Sequence, residues 1–331
     1  MSLANQLAIA QTKVNKMIDQ ILSAESKPEI LYKASRHIIE AGGKRLRPFL
    51  ALKSCEIVGG KEENVLAMAA ALEFLHSFTL IHDDIMDQSK IRRGVPAVHV
   101  IWGVPIAIDA GDLVFAKVYD AAINYTNPNV SGDRILNALK IITNATITVC
   151  EGQIYDISFE KKTNVTEEEY FNMIRWKTAA LYKAAAEVGA TVGGGTKDQV
   201  KRLGDFAYNA GVAFQIKDDV LGLIGKESVI QKPVGDDIRQ GKHTLLIAYS
   251  LTHANSAQRR KILNVLGNRT ISSKQVHEVV EIIRSLGAIE YANIKANDFI
   301  DKATKQLDSF PTSSAKHTLL DLASFFVKRE Y

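Results

Sequence analysis

Asp83 and Asp87 stand four positions apart at the end of a long apolar run. On a helix that spacing sets two carboxylates on one face, about one turn apart. Like charges so placed repel, and the pair costs stability unless a cation sits between them. Because every donor is oxygen, a hard divalent ion is the natural occupant. Magnesium fits better than zinc, since it keeps several waters and completes its octahedron with the oxygens of a phosphorylated substrate. The device recurs at Gln215, Asp218 and Asp219, where one helical face presents an amide and at least one carboxylate. Either group alone could cap a helix or solvate a surface. Two such groups, each behind an apolar run, point to metal. Beyond the paired aspartates and the apolar pair after each, nothing recurs at that offset, so these are two similar devices and not a repeat protein.

The cations are clustered as well. Gly42-Gly43-Lys44-Arg45-Leu46-Arg47-Pro48 places three of them just ahead of a proline expected to open a helix. Free amides, helix dipole and side-chain charge would then favour an anion at one place. Arg92-Arg93-Gly94 begins five residues beyond Asp87, and Lys177-Thr178, Lys232 and Lys242 follow. A guanidinium fork grips two phosphate oxygens at once, which an ammonium cannot. Metal-loadable carboxylates with separate cationic clusters describe a pocket for two polyanions.

The elements that must hold these groups read as helices. Apolar residues at Leu3, Leu7, Ala10, Val14, Met17, Ile18 and Ile21 form one stripe, predicting a helix over Leu3 to Leu22. Pro48 is expected to start another through Phe49 to Val58, with Gly59-Gly60 ending it. Thr166 and Glu169 make a capping box for a helix running through Tyr170, Ile174 and Lys177. Gly193-Gly194-Gly195 breaks the chain, which restarts near Asp198 towards Phe214 and Leu221. Ile141 to Val149 is β-branched enough for a strand, but a lone strand lacks a partner, so helix is expected. No stretch has linker composition, so residues 1–331 are expected to form a single all-α domain. The chain is 46% hydrophobic with two cysteines far apart, which excludes a disordered chain, a disulfide-stapled miniprotein and a sulfur-caged zinc. The balance of 41 basic and 37 acidic residues, with a net charge of +4, gives no case for nucleic acid. Glu73 and His76 interrupt the run from Val65 to Ile81, making it a poor membrane span, and no signal peptide follows Met1. A cytoplasmic location is expected.

The ordered motifs Gly42 to Pro48, Asp83-Asp84-Ile85-Met86-Asp87 with Arg92-Arg93-Gly94, Lys177-Thr178, Phe214-Gln215-Ile216-Lys217-Asp218-Asp219 and Gly241-Lys242 resemble those of the trans-isoprenyl diphosphate synthases. The resemblance implies an all-α barrel of long helices around a deep central cavity, usually as a homodimer. It implies two to three Mg2+ ions held by Asp83, Asp87 and Asp218, and an allylic diphosphate (dimethylallyl, geranyl or farnesyl) held by Arg92, Lys177, Lys232 and Lys242. Isopentenyl diphosphate would be held by Lys44, Arg47, His76 and Arg93. Thr178 and Gln215 would flank the developing carbocation, as members of a catalytic set with Lys177, and Gln153 and Asp156 would support them. The family's second motif often ends in a third aspartate where this chain has Gly222; Asp236 or Asp237 could assist there through water.

The implied reaction is ionisation of the allylic diphosphate, attack by the second substrate's π-bond, and proton loss, with diphosphate released and five carbons gained. Water would quench the cation, so the site must close, and the polar stretch Gly225 to Gly241 is the expected lid. The end of the chain, Phe325 to Arg329, is expected to be an amphipathic terminal helix, a flap over the second diphosphate being the alternative. Phe78 lies five residues before Asp83, roughly 7 to 8 Å down the helix axis, where its ring would meet a growing apolar tail. An aromatic there beside a small residue, Thr79, resembles the archaeal type of geranylgeranyl diphosphate synthase and implies a C20 product. Farnesyl (C15) or longer products are the alternatives. A terpene cyclase would not need Lys44, Arg47 and Arg93, and a metal-dependent phosphohydrolase using His76 and His82 would not need the second aspartate pair. A non-catalytic partner subunit would be expected to have lost Asp83, Asp87 or Arg92.

Overall fold

Helix caps and apolar stripes set most of the boundaries. In α1 (Leu3–Ile21) the Ser2 hydroxyl accepts the Asn5 amide, and Ala10, Val14, Ile18 and Ile21 turn inward. The computed structural model describes residues 1–23, 26–160, 162–225 and 235–328. It continues with α2 (Glu29–Glu40), α3 (Leu46–Ile57), α4 (Glu62–Met86), α5 (Val98–Trp102), α6 (Val104–Asn124), α7 (Gly132–Phe159), α8 (Glu167–Ile174) and α9 (Ala180–Gly193). Then follow α10 (Lys197–Ile224), α11 (Asp236–Gln240), α12 (Leu245–His253), α13 (Ser256–Val265), α14 (Ser273–Ser285), α15 (Ala288–Lys305) and α16 (Ser314–Lys328). Among the described residues the fold is all-α apart from a two-stranded hairpin, β1 (Ile91–Arg92) with β2 (Val95–Pro96). The β-branched segment Ile141 to Val149 lies inside α7, and α16 takes in the terminal stretch as far as Lys328.

Two local expectations shift. Helix α3 begins at Leu46, so Pro48 sits within its first turn, and Arg45 caps it in the left-handed conformation at φ 49°. The capping box at Thr166 forms as expected, but α8 stops at Ile174 and gives way to a π turn over Arg175–Ala179. There the Ala180 amide reaches back to the Arg175 carbonyl, and the wider turn carries Lys177 and Thr178. Thr166→Ala should lower stability by about 1 kcal/mol in a urea titration. Glu169, the other half of that box, is drawn down to about 2 by Lys162 and by the Thr166 amide. Its contribution is therefore present above the ordinary carboxylate range and fades as pH falls through about 2.

The helices sort into two compact units: Met1–Thr146 with Leu181–Ala207 and Gln306–Leu322, and Ile147–Ala180 with Tyr208–Lys305 and the residues from Ala323 onward. In the first unit α4 packs on α1, α3 and α6, while α2 and α5 pack on α6. By length and composition α4 could cross a bilayer, yet most of its apolar window is buried in the protein. Gly111 brings α6 close to α4, since a Cβ there would lie 2.3 Å from the His82 ring. In the second unit α12 packs on α8, α13, α14 and α15. Gly152 on α7 meets the backbone of the π turn, where a Cβ would lie 2.3 Å from the Lys177 amide nitrogen.

Candidate active site

The first aspartate motif ends α4. Asp83 lies in the last turn and Asp87 is the helix C-cap, so the two carboxylates share a face as the spacing requires. Asp84, between them, is buried and accepts from the Arg92 guanidinium, with Nε at 2.9 Å; Arg92 also stands 3.6 Å from Asp83. Burial works against the Arg92 charge, but Asp84, Asp83 and Asp87 outweigh it and raise its pKa above the ordinary value. The hairpin explains how two adjacent arginines are presented. Arg93 and Gly94 at its turn both have positive φ, 54° and 77°, which fits a type I′ connection.

Arg93 reaches the carbonyl of Ile38 at 2.8 Å and that of Gly42, and lies 3.7 Å from Glu73. Arg45 is buried, with guanidinium bonds to Glu73 at 2.9 Å, Ile39 at 2.7 Å, Gly42 at 3.0 Å and Asn15 at 3.0 Å. Gly43 leaves room for both guanidinium groups; a Cβ there would sit 2.9 Å from Arg93 and 3.1 Å from Arg45. Arg47 stacks 4.4 Å over the Tyr182 ring, and its buried Nε has no hydrogen-bond partner among the described residues. Lys44 is exposed. His76 is pushed well below its ordinary value by burial and then by Arg47, Arg93, Arg92 and Arg45. Burial also lowers Arg93, as do Arg45, Arg92 and Arg47, against the pull of Glu73. These groups carry more positive charge than Glu73 offsets, and an anion would relieve it.

In the second unit Lys177 and Lys242 converge on one buried carboxylate, Asp156, at 2.6 and 2.9 Å, and Lys242 also reaches Glu160 at 2.9 Å. Burial opposes ionisation of Asp156, but the two lysines hold it below the usual carboxylate range. Asp218 is exposed, whereas Asp219 is buried and takes the Tyr170 hydroxyl and the Gln215 amide, both at 2.7 Å. Gln215 in turn accepts the Thr178 hydroxyl at 2.9 Å. Burial raises the Asp219 carboxyl to about 8 against the pull of Tyr170 and Gln215, and Asp237 and Asp218 push the same way as burial. A Cβ at Gly222 would lie 2.7 Å from Asp237 Oδ2, so the space beside the missing third aspartate holds the Asp237 carboxylate.

The same-face placement of Asp83 and Asp87 and the nearness of Arg92 follow the spacing, whereas Arg45 is legible there only as part of a generic basic cluster, and Asp84, Glu160 and Tyr170 carry no separate signal. Glu73 was legible only as a lone acid in an apolar run, and such an acid needs a cation when buried. Lys232 and most of the expected lid lie outside the described residues, as does Arg329. His82 packs its ring 4.7 Å from Phe78 and contacts the Ile108 carbonyl at 3.2 Å. The Phe78 ring also lies 4.9 Å from Phe115, tilted against it, and Phe115 meets Tyr119 edge-on at 5.5 Å, while the Thr79 hydroxyl donates to the His76 carbonyl at 2.8 Å. Among the described residues no three His, Cys, Asp or Glu side chains group closely enough to cage a metal alone. The same-face oxygen pair of Asp83 and Asp87 at the end of α4 suits an ion that keeps water and takes further oxygens from a substrate.

Known proteins share this fold and much of this sequence. A family model described as Polyprenyl synthetase matches residues 28–283. The short chain isoprenyl diphosphate synthase of Methanothermobacter thermautotrophicus is 42% identical over 322 residues, spanning 96% of this chain and 97% of that protein. The geranylgeranyl diphosphate synthase of Saccharolobus solfataricus is 40% identical over 307 residues, 92% of each. The crystal structure of geranylgeranyl pyrophosphate synthetase from Pyrococcus horikoshii superposes with a TM-score of 0.92 at 40% identity, covering 99% of each chain.

Proposed function

The chain belongs to the polyprenyl synthetase family, and from that premise we propose that it condenses isopentenyl diphosphate with allylic diphosphates and releases geranylgeranyl diphosphate. The observation that carries the reading is the first unit's same-face carboxylate pair, Asp83 and Asp87, together with a cluster of arginines whose charges lower Arg93 and His76 alongside burial. A diphosphate relieves that repulsion, and a metal relieves the repulsion of the carboxylates.

In the first unit Asp83 and Asp87 hold magnesium, Arg92 holds the allylic diphosphate, and Lys44, Arg47, His76 and Arg93 hold isopentenyl diphosphate. In the second, Asp218 holds a further ion and Lys177 and Lys242 hold the allylic diphosphate, a role that Lys232 shares. Bound magnesium, two to three ions in all, supplies neutralisation of the charge that grows on the departing diphosphate. Arg92 must leave Asp84 or share its fork to bind phosphate, so binding exchanges one charge-assisted bond for another. Lys177 and Lys242 share the carboxylate of Asp156, which holds the two ammonium groups close together before substrate arrives. Thr178 and Gln215 offer oxygen dipoles that stabilise an allylic cation without attacking it. Gln153 supports them. We read residues 1–331 as one synthase domain acting in the cytoplasm as a homodimer. Val104, Ile108 and Ile123 on α6 are exposed apolar residues that a second copy would cover.

Product length rests on Phe78, whose ring is braced by Phe115 below the aspartates. Incubation with magnesium, labelled isopentenyl diphosphate and dimethylallyl, geranyl or farnesyl diphosphate should give extractable C20 product. Phe78→Ala should extend it beyond C20. A folded protein that yields no labelled prenyl product would refute elongation, and an unchanged length in Phe78→Ala would refute the floor. Wild-type product ending at C15 would favour the farnesyl alternative.

A further inference from the structure

The second aspartate pair divides its labour. Asp218 is exposed, but Asp219 is buried on the same helix and both of its oxygens accept hydrogen bonds from within the second unit. The donors are the Tyr170 hydroxyl on α8 and the Gln215 side-chain amide, one helical turn before Asp219 on α10. Thr178, in the π turn, donates its hydroxyl to the Gln215 carbonyl oxygen. Four side chains from three elements thus form one directional chain, Tyr170 to Asp219, Gln215 to Asp219, Thr178 to Gln215.

The direction has chemical meaning. A primary amide has a donor end and an acceptor end, and it can flip. With its NH2 held by Asp219, Gln215 must turn its carbonyl oxygen towards Thr178, leaving that oxygen and the Thr178 oxygen as the local negative ends. A carbocation is stabilised by those ends and destabilised by an NH2. Asp219 can enforce the orientation only if the plane of its carboxyl group is fixed. Tyr170, buried in the core with its ring 5.5 Å from Phe171, is the group that fixes it.

We propose that Tyr170 is a positioning residue for prenyl transfer: its hydroxyl fixes Asp219, and Asp219 fixes the amide orientation of Gln215 that presents oxygen, not nitrogen, to the reacting carbon. This rests on the elongation reading given above. The role of Asp219 is correspondingly orientation of Gln215, distinct from the metal-holding role given to Asp218.

The test is a double-mutant cycle on kcat in the full chain, with saturating isopentenyl and farnesyl diphosphates. Tyr170→Phe removes only the hydroxyl. It should lower kcat roughly 10-fold while KM for both substrates stays within about twofold, because geometry at the reacting centre is lost and binding is not. In a Gln215→Ala background the same substitution should cost nothing further, since the group it orients is gone. Asp219→Asn, which can accept only one of the two hydrogen bonds through its single oxygen, should reproduce the loss and add nothing to Tyr170→Phe. A kcat for Tyr170→Phe equal to wild type would overturn the proposal, as would an equal fold-loss with and without Gln215, the mark of a merely structural role. Should Tyr170→Phe melt below the assay temperature, the Asp219→Asn and Gln215→Ala cycle decides alone by the same criterion. Wild-type protein that does not elongate at all would overturn the elongation reading itself, and this inference with it.

Discussion

Asp83→Ala should reduce kcat by roughly 10³-fold while the protein stays folded, because the interaction removed is made most strongly when charge leaves with the diphosphate. Asp83 belongs to a run in which Asp84 and Asp87 repel it, with Arg92 as their neighbouring cation. Removing one of three carboxylates relieves repulsion, so thermal stability should hold or rise slightly. Arg92 keeps its Asp84 bonds, so the guanidinium is not stranded. The variant therefore separates catalysis from folding. Measurement needs a magnesium titration at saturating substrates: the variant should demand more metal and never reach wild-type turnover. A kcat within tenfold of wild type would remove Asp83 from the metal site.

Glu73→Ala should do the reverse, destabilising the fold by about 3 to 5 kcal/mol. Glu73 is a buried anion on α4, paired with the equally buried Arg45 at 2.9 Å and standing 3.7 Å from Arg93. Without it two guanidinium groups share a desolvated space with no counter-charge. Arg45 would retain only the carbonyls of Ile39 and Gly42 and the Asn15 amide oxygen, which accept its hydrogens but do not cancel its charge. The loop from Ala41 to Lys44 is held by that guanidinium, with Gln11 on the Gly43 carbonyl at 2.9 Å, so KM for isopentenyl diphosphate should rise as well. Urea unfolding of Glu73→Ala against wild type measures the first effect. A loss below about 1 kcal/mol would mean that water or a counter-ion reaches Arg45.

The candidate site is partly legible in the sequence. The carboxylates of Asp83 and Asp87 are related by one helical turn, and the arginine pair follows within a few residues, so their grouping needs only local geometry. Phe78 was placed by the same arithmetic. Its brace was not, because Phe115 lies on another helix. Lys177 and Lys242 meet at Asp156, which is 21 and 86 positions away, and no periodicity links them. Asp219 looked like a twin of Asp218, and side-chain burial separates the two.

By itself the sequence determined what depends on neighbours along the chain: the helical stripes, the capping box at Thr166, the spacing of the carboxylates and the sign of each cluster. Those follow from a fixed rise and a fixed period, and a residue three or four away is always on the same face. Tertiary structure alone decided which charges meet and which are buried. Arg45 became the partner of Glu73, Arg92 of Asp84, and Tyr170 the anchor of Asp219, through pairings 28, 8 and 49 residues apart. Burial is a property of packed surfaces, and once it strips water from a charge, the partner is whichever group the packing brings within reach.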